Sequence, residues 1–295
     1  MQEKLRYEKL KKERIDHYLA SVYTDYSRSY FQKLTLEQKI FVNDKPVLAR
    51  YKLKCDDVIN IEFKQEKTNK IEPENIKLDI VYEDNDIIII NKQSGIVVHP
   101  SYGHASGTLL NALVAHSNGK YNPYLVHRLD KDTSGIIIFA KNEKSKISIS
   151  KQLQNRAIKK VYYAAVKGII VENKGRIEAP LGRSPQNRKL MSVNSLAKKM
   201  AITEFKVISR KDGYTLLEVR IITGRTHQIR SHMKYINHPV VGDFQYGGPD
   251  MINGKSYQRQ MLHAYNITFT HPRTSKEISF TASLPKDMVE IFESK

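Results

Sequence analysis

At 295 residues the chain is long enough for a substantial core and, at ordinary domain sizes, for two domains. Apolar residues make up 40%, which suits a folded protein with a wet, charged surface, and the formal net charge of +18 makes a polyanion the expected partner. Nucleic acid is favoured over membrane, because no apolar run approaches the ~20 residues that span a bilayer. Met1 to Arg14 lacks the apolar segment of a signal peptide. The single cysteine, Cys55, excludes internal disulfides and cysteine metal clusters; beside Asp56 and Asp57 it reads as a small buried hydrophobe. A monomer in a reducing cytoplasm is expected.

Met1 to Glu13 alternates in charge and reads as an extension, the exposed start of a helix. Residues 14–63 read as a compact module. Ile15, Tyr18, Leu19 and Val22 recur at helical spacing, and a second helix follows, with Ser27 as N-cap and Tyr30, Phe31 and Leu34 inward. Ile40-Phe41-Val42 is a short strand, Asn43 to Pro46 a turn, and Asp56 to Phe63 a second strand. The segments Arg14 to Leu19, Ser27-Arg28-Ser29, Val42 to Pro46 and Asp57-Val58-Ile59 resemble the S-four-like RNA-binding domain, a small α/β module. That resemblance implies an RNA-binding face, with Arg14, Arg28 and Lys33 as its candidate phosphate contacts; the plainer alternative is a solvated helix face. Residues 64–75 hold almost no apolar side chain and read as a linker.

From Ile76 to residue 295 the texture is that of a second domain. Leu78 to Tyr82, Ile87 to Ile90, Val161 to Val166, Leu216 to Ile222, Ile267 to Phe269 and Ile278 to Thr281 read as strands; 107–116 and 144–156 read as helices. Many strands with few helices between them predict an α+β fold on a largely antiparallel mixed sheet, not a doubly wound one.

Two stretches could carry chemistry. His127-Arg128-Leu129-Asp130-Lys131-Asp132-Thr133-Ser134-Gly135 is a polar run feeding an apolar, β-branched strand, Ile136 to Phe139. Loops on rigid scaffolds are where catalytic groups gather, although a plain Asx or Ser/Thr turn would also look like this. Thr223-Gly224-Arg225-Thr226-His227-Gln228-Ile229-Arg230 turns at Gly224 into a helix whose start suits an anion. Arg225 could hold a phosphate there, and Arg230, one turn on from Thr226, could reach an acidic group deeper inside. His227 and His232 lack the i, i+4 spacing of zinc ligands, so no metal is expected. Glycine-rich phosphate loops and a serine elbow are also missing from the sequence. The chemistry is expected to rest on a carboxylate, without a cofactor.

His127-Arg128-Leu129-Asp130 with Thr133-Ser134-Gly135 resembles the signature of the RluA/RluD-like pseudouridine synthases. Segments in the same order strengthen the likeness: Glu83 to Lys92, Val98-His99-Pro100, Lys160 to Gly168, Gly224 to Arg230, Pro239 to Asp243 with Tyr246-Gly247, and Leu262-His263-Ala264 with His271-Pro272. The likeness covers about residues 76 to 290; Gln93 stands where that family usually has proline. It implies isomerisation of uridine in RNA, with Asp130 as the catalytic carboxylate and Arg230 holding it charged. Tyr162 would lie against the uracil, and Arg128 would fill the gap left by the extruded base. His127, Arg225, Thr226 and His227 complete the implied substrate-binding set, and Asp132 is read as bonding the loop's own backbone. Large-subunit (23S) ribosomal RNA is favoured over transfer RNA. A non-catalytic RNA-binding assembly factor is the alternative class, and a hydrolase using Asp130 and Asp132, with carboxylates roughly 5 to 9 Å apart, is a third.

Overall fold

The computed structural model of the protein describes residues 2–24, 26, 28–63, 71–101, 103–193, 199–211, 213–252 and 254–293. They fold as two units, Met1–Lys70 and Ile71–Lys295.

In the first unit the predicted helices form over Ile15–Val22 (α1) and Arg28–Leu36 (α2). Their apolar stripes, Ile15, Leu19, Phe31 and Leu34, share one core with Ile40, Ile59 and Ile61 from the sheet. That sheet is antiparallel and contains Gln2–Arg6 (β1), Ile40–Val42 (β2), Lys45–Pro46 (β3) and Val58–Glu62 (β4), in the order β1-β4-β2-β3. Asn43 and Asp44 turn the β2–β3 hairpin with φ of 49° and 61°, the left-handed pair such a two-residue turn requires. The helix expected within residues 1–13 is instead a strand over Gln2–Arg6. The open edge of β4 offers it a full ladder of backbone hydrogen bonds, and Leu5 packs on the core. Cys55 is exposed rather than buried: it sits in a tight turn where Asp56 has φ 70°, and Leu53 takes the buried position. Ser27, the expected cap, and Lys64 to Lys70 of the expected linker lie outside the described residues.

The second unit runs Ile80–Glu83 (β5), Ile87–Lys92 (β6), Leu109–Ser117 (α3), Tyr124–Leu125 (β7), Ser134–Ala140 (β8), Glu143–Gln154 (α4), Lys159–Lys167 (β9), Lys174–Arg183 (β10), Met191–Val193 (β11), Met200–Lys211 (β12), Tyr214–Ile221 (β13), Gln228–Tyr235 (α5), Met251–Ile252 (β14), Lys255–Ser256 (β15), Leu262–Thr270 (β16), Glu277–Thr281 (β17) and Lys286–Glu293 (α6). Among the described residues its main sheet has eleven strands. Nine follow the order β11-β10-β12-β13-β9-β16-β8-β6-β5, while β17 pairs with β16 and β7 with β8. Every pairing is antiparallel except β16 with β8, so the sheet is mixed and largely antiparallel, as predicted. Strands β10 and β12 were not foreseen. Their charged outward residues mask an alternation that puts Ile177, Ala179 and Leu181, and Ala201, Thr203 and Phe205, inside.

The parallel join is where the site is built. Strand β8 is buried along its whole length, as its apolar run required. At its start Gly135 has φ +108°, and a Cβ there would lie 2.3 Å from the Ala264 carbonyl oxygen of β16, so only glycine fits. At the far edge, Asp84 and Asp86 of the β5–β6 turn lock the β16–β17 turn. Asp84 accepts from His271 at 2.8 Å and Asp86 from Arg273. These acceptors are already filled, since Asp84 also takes the Asp86 and Ile87 N–H groups, and Asp86 also takes Asn142 and Ser145. Among the described residues no helix is long and apolar enough to cross a membrane.

Candidate active site

The loop before β8 is tied down from several directions, and Leu129 anchors it in the core. The Lys92 ammonium, 1% exposed, donates to the carbonyls of Gln93, Ile96 and Lys131 at 2.7–3.0 Å. Burial pushes its pKa down to about 7, while three carbonyl acceptors call for three N–H donors. Gly95 N–H donates to the Lys131 carbonyl, and Arg259, itself paired with Asp287, donates to that of Asp132. The hydroxyls are equally committed: Thr133 accepts from Gln260, and Ser134 pairs with His263 Nδ1 at 2.9 Å. His127 accepts the Ile138 N–H on Nε2 at 3.0 Å. Burial, then Lys160, pushes its pKa down to about 3, which keeps that nitrogen free to accept. Thus Thr133 and Ser134 tie the loop to the segment around β16, and His127 supports the strand from a position that also lines the cavity.

What the loop leaves over is Asp130. Its Oδ2 accepts from Arg230 Nη1 at 3.1 Å, and its Oδ1 lies 3.9 Å from His227 Nε2. Arg230 reaches it as the third residue of α5; the helix begins only at Gln228, with His227 before it at φ 51°, so Thr226 stands outside the helix that the spacing had joined it to. Its side chain is only 5% exposed and its fork is shared. Nε and Nη2 grip Asp243 at 2.7 and 2.8 Å, Nη2 also reaches Gln245, and the Tyr246 ring lies 4.9 Å beneath the guanidinium. Burial works against the arginine's charge, but the Asp243 hydrogen bonds and the two carboxylates raise its pKa beyond the usual range.

Two cavities meet at this contact, both lined by Arg128, Asp130, His227 and Arg230. The first, about 440 Å³, is walled by Tyr162, Ile221, Arg225 and Thr226; the second, about 680 Å³, by His99, Lys131, Lys189, Phe244 and Arg259. Tyr162 is buried on β9. Burial, then the charge of Asp130, raises its pKa well beyond the phenol range, so it presents a neutral ring and hydroxyl. Arg128, Arg225 and Thr226 are exposed at the rim. The start of α5 is fixed by Gln228, which accepts the Arg225 N–H and bonds Thr223, Thr203 and the Ile202 carbonyl.

Asp132 differs from its expected part. Its backbone carbonyl, not its carboxylate, ties the loop, and among the described residues that carboxylate accepts no hydrogen bond. It lines the second cavity, as Asp130 also does, and not the one that holds Tyr162. Asp243, Gln245 and Tyr246 were given no role from sequence. The signal available was an acidic residue in a matched segment with no partner of its own, facing an arginine predicted to seek one.

Residues 86–235 match the family described as RNA pseudouridylate synthase. An uncharacterized RNA pseudouridine synthase of Bacillus subtilis, YlyB, is 42% identical over 293 residues, covering 97% of this chain and 95% of that protein. The ribosomal large subunit pseudouridine synthase D of Vibrio cholerae is 40% identical over 299 residues, covering 95% and 90%; that of Neisseria meningitidis is 40% identical over 290 residues, covering 94% and 77%. Among solved structures, human RNA pseudouridylate synthase domain containing 1 superposes with a TM-score of 0.59 at 26% identity, over 74% of this chain and 87% of that one.

Proposed function

The chain belongs to the RNA pseudouridylate synthase family, and we propose that it isomerises specific uridines of large-subunit (23S) ribosomal RNA to pseudouridine, with Asp130 as the catalytic carboxylate. The observation that carries this reading is the Arg230–Asp130 contact of 3.1 Å on the wall of a cavity that also holds Tyr162. That cavity, about 440 Å³, suits a single nucleotide better than a duplex. The target must therefore leave its stack, and Arg128 at the rim fills the vacated gap. Tyr162 lies along the base face, Arg225 and Thr226 meet the phosphate and sugar around it, and His227 belongs to the same nucleotide-binding set. Every route to the product breaks the bond between uracil N1 and ribose C1′, turns the base and joins its C5 to C1′, after which C5 gives up its proton and N1 takes one up. Asp130 serves that sequence as an ionised group, whether it attacks sugar or base or takes the ribose 2′ proton. Nothing is consumed overall, so no cofactor is invoked.

The relatives named for large-subunit ribosomal RNA support that substrate over transfer RNA. The first unit is assigned as the S-four-like domain, holding RNA through Arg14, Arg28 and Lys33, and the enzyme acts as a cytoplasmic monomer. Asp130→Ala is the deciding variant: pseudouridine formation is expected to vanish while RNA affinity stays within about twofold. Undiminished activity in the variant would sink the role given to Asp130, whereas wild-type protein that binds RNA and forms no pseudouridine would leave an RNA-binding assembly factor. Mapping pseudouridine in total RNA with and without the gene identifies the target; a site lost from transfer RNA instead would overturn the ribosomal assignment.

A further inference from the structure

The hydroxyl of Tyr246 fixes where the proton sits on its neighbour. The side chain is 5% exposed, and its oxygen accepts the Met191 N–H at 2.8 Å and lies 2.9 Å from His227 Nδ1. Among the described residues these are its two partners. A buried O–H that donates to nothing loses about 1–3 kcal/mol, and Nδ1 is the acceptor in reach. The O–H therefore donates, Nδ1 carries no proton, and the ring hydrogen is on Nε2. That nitrogen lies 3.9 Å from Asp130 Oδ1, too far for a hydrogen bond, and the ring lines both cavities where they meet. A neutral ring agrees with its surroundings: burial lowers the His227 pKa, Arg230 and Arg128 add to this, and Asp130 and Asp243 oppose it.

We propose that Tyr246 holds His227 as the neutral Nε2–H tautomer and that this N–H donates to the C2 carbonyl of the target uracil. The role rests on the isomerase reading above. When the N1–C1′ bond breaks, its electron pair leaves with the base, and negative charge spreads from N1 onto the adjacent carbonyl oxygen. A fixed N–H aimed at that oxygen strengthens as the charge grows and keeps its own proton throughout. Neutral imidazole can serve as such an electrophile. An imidazolium here would pair with Asp130 and occupy the carboxylate the reaction needs.

The first test is nitrogen NMR on the full chain labelled with 15N-histidine, the His227 signals being those lost in His227→Gln. Nδ1 should read as unprotonated and Nε2 as protonated, with the two forms mixing in Tyr246→Phe; a protonated Nδ1 in the wild type overturns the assignment. The second uses short RNA with 2-thiouridine or 4-thiouridine at the target, because sulfur is a weak acceptor. His227→Phe should lower kcat on uridine about 100-fold, the usual effect of losing one such donor. Wild-type enzyme should be slowed by sulfur at C2 more than at C4, and His227→Phe should be indifferent to it. A C2 penalty that persists in His227→Phe, or one absent from the wild type, overturns the donor role while leaving the isomerase reading intact. Tyr246→Phe, which keeps its ring under Arg230, should lower kcat several-fold without raising KM. Wild-type protein that makes no pseudouridine in any RNA would instead overturn the isomerase reading, and the donor role with it.

Discussion

The two units each contain a cluster of arginine and aspartate, built with opposite stoichiometry. In the first, one fully buried carboxylate, Asp16, is shared by two half-exposed guanidiniums, Arg14 at 2.9 Å and Arg28 at 2.8 Å, with Gln32 as a third donor. In the second, one buried guanidinium, Arg230, is shared by Asp243 and Asp130. The first arrangement leaves a positive charge over, and leaves it at the surface. The second leaves a negative charge over, and because Asp243 is 1% exposed against 18% for Asp130, the surplus falls on the carboxylate that faces the cavities. The same pair of residue types thus leaves a surface cation in one place and a cavity-facing anion in the other.

Replacing the shared partner should break the second cluster most severely. Arg230→Met leaves two carboxylates unpaired, one of them wholly buried; stability is expected to fall by about 3–5 kcal/mol in denaturant titrations. The loss should shrink toward acid pH, since protonating Asp243 removes the uncompensated charge, and pseudouridine formation should be undetectable. Asp243→Asn is milder. It turns the whole of Arg230 toward Asp130 and should cost about 2–3 kcal/mol, with kcat falling while RNA affinity holds. An unchanged kcat would show that Asp243 does not position Arg230.

The first cluster should respond to pH in the direction its carboxylate dictates. Burial alone would raise the pKa of Asp16, but hydrogen bonds from Arg14, Gln32 and Arg28 bring it well below the usual value of 3.8. A lowered folded-state pKa gives stability that is present above the unfolded value and lost as pH falls through and below it. The first unit should therefore loosen under acid, seen as hydrogen exchange at its α1 and α2 amides, and Asp16→Asn should abolish that dependence. The smallest effect is expected from Lys33→Gln, which removes an exposed cation on α2. RNA affinity should drop only a few-fold, and the slope of log affinity against log salt should fall by about one if the residue meets a phosphate. An unaltered slope would make it an ordinary solvated side chain.

Much of the site was legible because local chemistry decided it. The Asp130 loop announces itself as polar residues before a β-branched run, and Arg230 lies in the first turn of a helix that the Gly224 turn and the apolar spacing of Ile229 and Met233 announce. What escaped depends on partners far apart in sequence. Asp243, Gln245 and Tyr246 matter through Arg230 and His227, and Lys92 matters through three carbonyls whose convergence no local pattern reveals. The edge strand at Gln2–Arg6 was misread for a similar reason: charge alternation suits a helix face and a strand equally, and the free edge of β4 decided between them. Strands β10 and β12 were hidden because one side of each is wet, which dilutes the apolar signal to every second residue.

The parallel join of β8 to β16 has a further consequence for how the protein comes into being. His263 pairs with Ser134 across an interval of 129 residues, and that contact seats the loop carrying Asp130. During translation the carboxylate can emerge early but cannot be set in place until the strand beginning at Leu262 has cleared the exit tunnel. A truncated polypeptide ending before it would display the signature and lack the geometry, so catalytic competence should arrive late and all at once, at the pace of a long-range pairing.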